Sequence, residues 1–135
     1  MPRSMRTSVR ELQRVMSYAI RIERSANDNG TLEYSGGISI ATTCWWDPDR
    51  KIPAGTYEGC SATLMSSKTN SAGAPREGVF IPNTSGFIGV FVHMGTGPSW
   101  SDGCIVIAEE DMLRLWNDIS PKDGDNVTIT VVDPT

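Results

Sequence analysis

Residues 91–107, FVHMGTGPSWSDGCIVI, decide how the fold of this chain is interpreted. One apolar run leads into the single histidine of the chain, His93, and a second run of Ile and Val follows Cys104. Apolar, β-branched runs are typical of strands, and the Gly-, Ser- and Pro-rich residues between them are typical of a loop. Two strands joined by that loop can bring the imidazole and the thiol together, which is the geometry that a cysteine nucleophile needs.

Outside this stretch, short apolar segments alternate with turn signals, which predicts a mainly β domain. Tyr18, Ile20 and Ile22 alternate with polar residues, as in a half-buried strand. The NDNG sequence at residues 27–30 predicts a turn into a second strand. Many short strands with one inserted helix favour a β-rich mixed sandwich or half-barrel. Further strands are expected at residues 38–46, 56–64 and 127–132.

Two helices and one loop complete the predicted secondary structure. Apolar residues recur at helical spacing soon after the central stretch and predict a helix over residues 108–118. Ser8 and Glu11 form the pattern of a capping box and predict a short amphipathic helix over residues 9–17. Residues 66–78 are polar and without periodicity, which predicts a mobile loop.

The composition predicts one globular domain with a basic N-terminal extension. The chain has 135 residues, of which 39% are hydrophobic and 21% are charged, so it can bury one core without disulfides. We place the extension at residues 1–17 and the domain at residues 18–135. The net charge is −4, but the six arginines and two glutamates of residues 1–24 leave −8 on the remainder. An acidic body argues against a nucleic-acid groove, whereas the basic N-terminus suits an anionic surface or simple solvation.

The sequence contains neither a membrane span nor an export signal that can be recognised. No run approaches the ~20 apolar residues that a span requires. No basic segment followed by an apolar one stands at the N-terminus, so we predict no cleavable signal peptide. We therefore expect synthesis in the cytoplasm. A role outside the cytoplasm would depend on delivery by other components or on cell lysis.

His93 and Cys104 are the candidate catalytic pair. A thiol with the ordinary pKa of about 8.5 is mostly protonated near neutrality, so a nearby base is needed to ionise it. His93 is the only imidazole that can serve. Gly103 leaves the backbone before the thiol open to present N–H groups to an oxyanion. No acid stands at an obvious orienting position, so we expect a backbone carbonyl or a nearby Ser or Thr hydroxyl to orient the imidazole.

Other interpretations of these residues stay open. A buried, hydrogen-bonded histidine beside an inert core cysteine is the common alternative. Cys44 and Cys60 are expected to be small buried strand residues, or else to pair as a disulfide in an oxidising compartment. One histidine and three scattered cysteines without a C-x-x-C pair argue against a metal site.

Three segments resemble the catalytic domain of L,D-transpeptidases, the YkuD-like superfamily. They are IPAGTY at residues 52–57, FVHMG at residues 91–95 and SDGCIV at residues 101–106. The family has a Pro-x-Gly-x-Tyr/Phe segment, then a His followed closely by Gly, then a Ser-x-Gly-Cys-Ile/Val motif with a helix after it. The same order occurs here over roughly residues 18–132. The short His-to-Cys loop is most similar to that of small members found in phages and among secreted interbacterial effectors.

The resemblance implies a β-rich fold and chemistry on peptidoglycan stem peptides. Cys104 would attack the amide between the diamino acid at position three and the following D-residue, so that D-alanine leaves and a thioester remains. An amine would resolve the thioester in transpeptidation, and water in L,D-carboxypeptidation. His93 would act as the general base, and Ser101 would shape the site. The amides of Gly103 and Cys104 would form the oxyanion hole, and no cofactor is implied.

Further residues are candidates for substrate binding. Tyr57 and Trp100 could line the groove, although aromatic residues of this kind also occur in cores and at rims. Arg76 and Lys68 could receive a carboxylate of the stem peptide, or could simply be solvated. Asp102, beside the thiol, completes this group.

Two positions of the motif differ from the family pattern. Asp102 stands where the family often has a His between Ser and Gly, and it places a negative charge next to Cys104. Val106 stands where many members have an Arg that would help to hold substrate. Substrate binding is therefore expected to differ from that of the cell-wall cross-linking members more than the acyl-transfer chemistry does.

Three functional hypotheses result. The first is a cysteine acyl-transferase or peptidase that acts on peptidoglycan in the periplasm or cell wall after delivery by a phage or a secretion machine. Its partners would be the stem peptide and, in the effector case, an immunity or delivery protein. The second is a non-catalytic module on the same fold that binds cell wall or joins a phage or secretion assembly. The third is an unrelated cysteine hydrolase that acts on another amide or ester.

Overall fold

The computed structural model describes residues 17–101 and 103–134. In that part of the chain, eight strands close into one barrel and one α-helix precedes the last strand. The predicted mainly β domain with a helix after the Cys104 motif is confirmed, but a closed barrel replaces the sandwich or half-barrel. Asp102 and residues 9–16 of the predicted N-terminal helix lie outside the described residues. The elements are β1 (Tyr18–Arg24), β2 (Asn29–Ser35), β3 (Ser39–Trp45), β4 (Gly55–Thr69), β5 (Pro75–Phe80), β6 (Phe91–Met94), a 3₁₀ turn (Pro98–Trp100), β7 (Ile105–Ile107), α1 (Glu109–Asp118) and β8 (Val127–Val132).

The barrel closes because β8 pairs with a strand on either side. Around the barrel the order is β1, β2, β3, β7, β6, β5, β4 and β8, and β8 then returns to β1. The β8 strand runs parallel to β1 and antiparallel to β4. The alternation of apolar and polar residues along each strand is the same in an open and in a closed sheet, so the sequence pattern did not distinguish them.

The other parallel pair, β6 and β7, positions the candidate site. Its register sets Val92 beside Ile105 and His93 beside Val106. Parallel neighbours run in the same direction, so residues 95–104 must cross from the end of β6 to the start of β7. That crossing contains the 3₁₀ turn and returns the chain to Cys104, one residue before β7.

Alternate side chains of the strands fill the barrel. In β1, Tyr18, Ile20 and Ile22 are buried and the residues between them are exposed, as the periodicity predicts. The α1 helix begins with three acidic residues, which its positive N-terminal dipole favours. It buries Met112 and Leu115 and packs against β5 and β6. The helix is not part of the barrel, and it packs against β6, the strand that carries His93.

The predicted mobile loop at residues 66–78 is wrong. The β4 strand continues to Thr69 and β5 begins at Pro75, so only residues 70–74 form the turn of a hairpin. The register shifts between Met65 and Thr69, which marks a bulge in β4. The side chains of residues 66–69, from the bulge to the end of β4, are exposed, so no hydrophobic alternation reveals this part of the strand. This part of β4 is formed by backbone hydrogen bonds, which leave no pattern in the sequence.

Arg24 ties the end of β1 to two other segments. Its side chain is only 2% exposed, and its guanidinium donates hydrogen bonds to the carboxylate of Asp133 and, over 2.8 Å, to the carbonyl of Ile52. The guanidinium also lies 5.8 Å from the ring centroid of Trp46. A buried charge is tolerated only when such partners satisfy it. The pair with Asp133 therefore anchors the chain just after β8 to the rest of the barrel.

We expect Asp133→Asn to lower the free energy of unfolding by about 1 kcal/mol at pH 7. The neutral amide accepts a weaker hydrogen bond from Arg24, and the loss is modest because the Asp133 side chain is 44% exposed. The hydrogen bond from Arg24 holds the pKa of Asp133 below its usual range. The stabilisation is therefore present above about pH 4 and is lost as the pH falls through the lowered pKa. Urea denaturation at pH 7 and in acid measures both effects.

Glu23→Gln is the matched control for this prediction. It removes a carboxylate from the Arg21–Glu23 pair, in which both side chains are more than half exposed. Its effect should stay within about 0.5 kcal/mol. Equal stability of Asp133→Asn and Glu23→Gln at pH 7 would contradict the anchoring role of Asp133.

Candidate active site

His93 is held in one orientation by the backbone next to it. Its side chain is 3% exposed, and its Nδ1 lies 2.7 Å from the carbonyl oxygen of Met94. A carbonyl oxygen can only accept a hydrogen bond, so Nδ1 carries the proton in this contact and Nε2 keeps a lone pair. The orienting group is thus a backbone carbonyl, one of the two kinds that the sequence predicts. An imidazole in this state can accept a proton at Nε2.

A tight turn places Cys104 at the start of β7. The Cys104 N–H donates to the carbonyl of Ser101 over 3.0 Å, which closes a four-residue turn. Gly103 occupies the third position of this turn with a φ of 94°, a conformation that residues with a Cβ rarely adopt. Ser101, 1% exposed, donates its Oγ hydrogen to the Cys104 carbonyl over 2.6 Å. Ser101 therefore holds both backbone groups of Cys104, and a shaping role for this residue agrees with its contacts.

The same turn bears on the predicted oxyanion hole. The Cys104 amide was expected to point at an oxyanion, but in this structure it is bonded to the Ser101 carbonyl. An amide in a closed turn can serve an oxyanion only if the turn opens or the hydrogen bond is shared. Gly103 is the remaining member of the predicted donor pair.

The Cys104 sulfur has polar neighbours on β6 and on the segment before it. The N–H of Phe91 lies 3.4 Å from Sγ, and Sγ lies 3.7 Å from the carbonyl oxygen of Gly89. The first contact donates to sulfur and the second can accept its proton. A sulfur that receives an N–H is better able to hold negative charge than one in an apolar pocket.

Register places His93 and Cys104 on one face of the sheet. Val92 pairs with Ile105. Extending this register by one residue toward the N-terminus of each strand places Cys104 beside Phe91, in agreement with the contact of the Phe91 N–H with the Cys104 sulfur. Phe91 and His93 are two residues apart and their side chains share a face. The Cα atoms of His93 and Cys104 are therefore diagonal neighbours, about 8 Å apart by standard strand spacings. Both side chains line the same cavity.

This cavity is about 790 Å³ and has two cations in its wall. Lys68 lies within the bulge of β4, Arg76 is paired with Met65 in the register of β4 and β5, and both cations line the cavity. The Arg76 Nε donates to the carbonyl of Thr69 over 2.9 Å, and its guanidinium lies 5.3 Å from the ring centroid of Trp100. Among the described residues, neither cation forms an ion pair with a carboxylate. The wall of the cavity therefore suits an anionic group of a ligand.

The mouth of the cavity is apolar. Leu64, Ile88 and Trp100 line it and are 48%, 97% and 40% exposed. They are three of the four large hydrophobic residues that are exposed in the described chain. Sequence reasoning included Trp100 but missed the other two. The apolar pair Phe87-Ile88 between Gly86 and Gly89 is the signal that could have indicated Ile88.

Two other candidate positions lie away from the cavity. Tyr57 is 8% exposed, belongs to the hydrophobic core and donates its hydroxyl to the carbonyl of Pro53. Tyr57 does not line the cavity that contains Cys104, so it is not placed to bind a substrate there. Val106 is fully buried, so position 106 offers the cavity no substrate-holding side chain. Asp102 lies outside the described residues.

The remaining two cysteines are core residues. Cys44 in β3 and Cys60 in β4 are fully buried, and neither forms a disulfide. Burial raises the pKa of each thiol to about 12. Both are therefore protonated at neutral pH, and Cys104 is the thiol that faces a cavity with an imidazole.

Comparisons with known proteins leave the function to be inferred from the cavity itself. The chain matches no protein-family model and no curated protein sequence. No helix in the described part is both long and apolar enough to span a membrane. Across residues 17–101 and 103–134, no three His, Cys, Asp or Glu side chains are grouped so that they could hold a metal ion.

We expect NMR to show that the pKa of His93 lies below the ordinary value of about 6.5. Burial lowers this pKa, the hydrogen bond to Met94 opposes that shift, and the charges of Arg76 and Lys68 add to it. The imidazole is therefore neutral at pH 7 and ready to accept a proton. Because the chain has one histidine, a proton NMR titration of tag-free protein reports on His93 alone.

Charge-removing variants separate the causes of this shift. Arg76→Gln and Lys68→Gln should each raise the pKa of His93, because each removes a like charge that disfavours the imidazolium. Arg21→Gln removes an exposed cation on β1, which does not line the cavity, and should leave the titration unchanged. An unchanged titration in all three variants would show that the cations do not act on His93.

Proposed function

We propose that this protein is a cysteine acyl-transferase or peptidase that acts on peptidoglycan stem peptides, as a small member of the L,D-transpeptidase, YkuD-like superfamily. One observation carries the proposal. His93 in β6, with Nδ1 bonded to a carbonyl, and Cys104, directly before β7, line the same cavity. The motif around Cys104 resembles that family, and two of its residues, Ser101 and Cys104, line the cavity.

In the first step of the proposed reaction, Cys104 becomes acylated. The Sγ proton moves to Nε2 of His93, and the thiolate attacks the carbonyl carbon of the amide that follows the diamino acid. A C–S bond forms while the C–O π bond becomes an oxyanion. The oxyanion collapses, the C–N bond breaks, and the imidazolium gives its proton to the leaving D-alanine amine. A thioester on Cys104 remains.

In the second step, a nucleophile releases the acyl group. Neutral His93 removes a proton from water or from an acceptor amine, which then attacks the thioester carbonyl. The C–S bond breaks and the proton returns from the imidazolium to sulfur. Water gives L,D-carboxypeptidation and an amine gives transpeptidation. The lowered pKa of His93 keeps the imidazole neutral between these transfers.

The charges of the cavity support a substrate that carries carboxylates. Lys68 and Arg76 line the wall near His93, and a stem peptide offers carboxylates close to its scissile amide. Trp100 gives the guanidinium of Arg76 an aromatic surface, which orders it before substrate binds. Such a substrate lies in the periplasm or cell wall, so we propose delivery by a phage or a secretion machine, with an immunity or delivery protein as a partner in the effector case.

One observation favours a second candidate, a non-catalytic module on the same fold. The Cys104 amide is bonded within its turn, and the Cys104 side chain is 6% exposed. A module that only binds cell wall or joins an assembly would tolerate both features. The two candidates differ in whether a thioester forms.

Acylation of Cys104 is the direct test. Wild-type protein incubated with a synthetic tetrapeptide stem should release D-alanine and gain the mass of the tripeptide acyl group. Cys104→Ala should lose both signals, and His93→Ala should lose about 100-fold or more in rate, because no second imidazole can replace it. Cys60→Ala, which removes a core thiol, should keep acylation. Intact-protein mass spectrometry and D-alanine release are the measurements. Turnover by Cys104→Ala would exclude the Cys104 mechanism, whereas no acylation of folded wild type would favour the second candidate.

Arg76→Gln is expected to weaken substrate binding more than the chemical step. Loss of a charge-assisted contact to a carboxylate should raise KM about tenfold, with a smaller change in kcat. Arg114→Gln removes an exposed arginine of α1 and is the matched control, with unchanged kinetics. Steady-state release of D-alanine gives both constants. An unchanged KM in Arg76→Gln would remove this residue from substrate binding.

A further inference from the structure

Gly95 is required for space rather than for its backbone conformation. It is buried directly after β6, and its φ is not among the positive values of the chain. A Cβ at this position would lie 2.5 Å from Cγ1 of Val106 and 2.8 Å from Cβ and Cγ of Trp100. Carbon atoms do not approach so closely without displacing one another. The position therefore forms a socket that only glycine leaves open.

The two neighbours of this socket belong to the two halves of the candidate site. Val106 lies in β7 and is paired in register with His93. Trp100 ends the 3₁₀ turn and immediately precedes Ser101, whose contacts hold Cys104. The Gly95 N–H donates to the carbonyl of Ile107 over 2.9 Å. Gly95 thus joins the strand of the imidazole to the turn of the thiol.

Trp100 is held on its other side by the β4–β5 hairpin. The Arg76 guanidinium stacks on its ring at 5.3 Å from the centroid, and the Arg76 Nε is bonded to Thr69. The indole is 40% exposed and is not part of the hydrophobic core. Its packing on Gly95 is therefore not needed to fill the barrel, and another reason is required for so close an approach.

We propose that Gly95 and Trp100 are a positioning pair: their contact fixes the position of the Ser101–Cys104 turn relative to His93. This inference rests on the proposed function, because it assigns the pair to the alignment of Sγ with the imidazole. Residues 96–100 lie outside the strand ladder, so ladder hydrogen bonds do not position them. The contact of Trp100 with the backbone of Gly95 fixes the position of this segment instead. A displacement of about 1 Å at such a contact can cost about 100-fold in rate.

The test compares two glycines of the same loop. Gly95→Ala adds a methyl group within 3 Å of both Val106 and Trp100, whereas Gly97→Ala adds the same group where no atom lies within 4 Å. Gly97 has an extended φ of 173°, which alanine also adopts, so this variant is the matched control. We expect Gly95→Ala to lower kcat about 100-fold with little change in KM, and Gly97→Ala to behave as wild type.

A measurement without substrate separates this proposal from the function on which it rests. Alkylation of Cys104 by iodoacetamide, followed by mass spectrometry across pH, reports how far His93 assists loss of the thiol proton. At pH 7 we expect the rate to fall about tenfold in His93→Ala, and Gly95→Ala to follow the same pH profile. If His93→Ala leaves the profile unchanged, the proposed function fails. If His93→Ala changes it and Gly95→Ala does not, only the positioning pair fails.

A second variant and thermal unfolding serve as controls for loss of folding in Gly95→Ala. Trp100→Ala creates no steric overlap. Because the indole is outside the hydrophobic core, this variant should keep most of its thermal stability. Its alkylation profile should shift in the same direction as that of Gly95→Ala. Trp100→Phe keeps an aromatic ring in the socket and should restore much of the wild-type profile. A wild-type profile in folded Trp100→Ala would overturn the proposal, whatever the fate of Gly95→Ala.

Discussion

The parallel pairing of β6 with β7 is the constraint on which the site depends. Antiparallel neighbours can be joined by a two-residue turn, which leaves no room for a separate structure between histidine and cysteine. Parallel neighbours need a crossing segment, and here that segment holds the 3₁₀ turn, Trp100 and the Ser101–Cys104 turn. The register then makes His93 and Cys104 diagonal neighbours on one face. Pairing with β5 and β3 on either side holds both strands in the closed barrel.

The strands and the helix after the motif could be predicted because their periodicity reflects burial on one side. Tyr18, Ile20 and Ile22 alternate in the sequence because they alternate between core and solvent. Closure of the barrel could not be predicted, since it depends on β8 pairing with both β1 and β4, and neither contact changes the alternation. The end of β4 could not be predicted for a related reason: the side chains of residues 66–69 are exposed on both faces, so only backbone hydrogen bonds define this part of the strand.

Within the candidate site, composition was enough to select His93 and Cys104, but the groups around them are known only from the three-dimensional structure. A single histidine and one glycine-preceded cysteine made His93 and Cys104 the expected pair, and both line one cavity. The Met94 carbonyl that orients the imidazole could be expected only as a class, because every residue has a carbonyl. Tyr57 was misplaced because an aromatic residue near a family-like motif has the same sequence signature in a core and in a groove. Ile88 was missed because its exposure depends on the path of a loop.

Two arginines show how the fold separates structural charge from charge at the site. Arg24 is buried with a carboxylate, a carbonyl and an indole around it, so its charge is satisfied within the chain. Arg76 also lies on an indole and is bonded to a carbonyl, yet it forms no ion pair with the described residues, in a protein whose net charge is −4. An acidic protein has many carboxylates with which to neutralise a cation. An arginine that is ordered by an indole and a backbone carbonyl and that faces the cavity of His93 supports the proposal that an anion from outside the chain binds there.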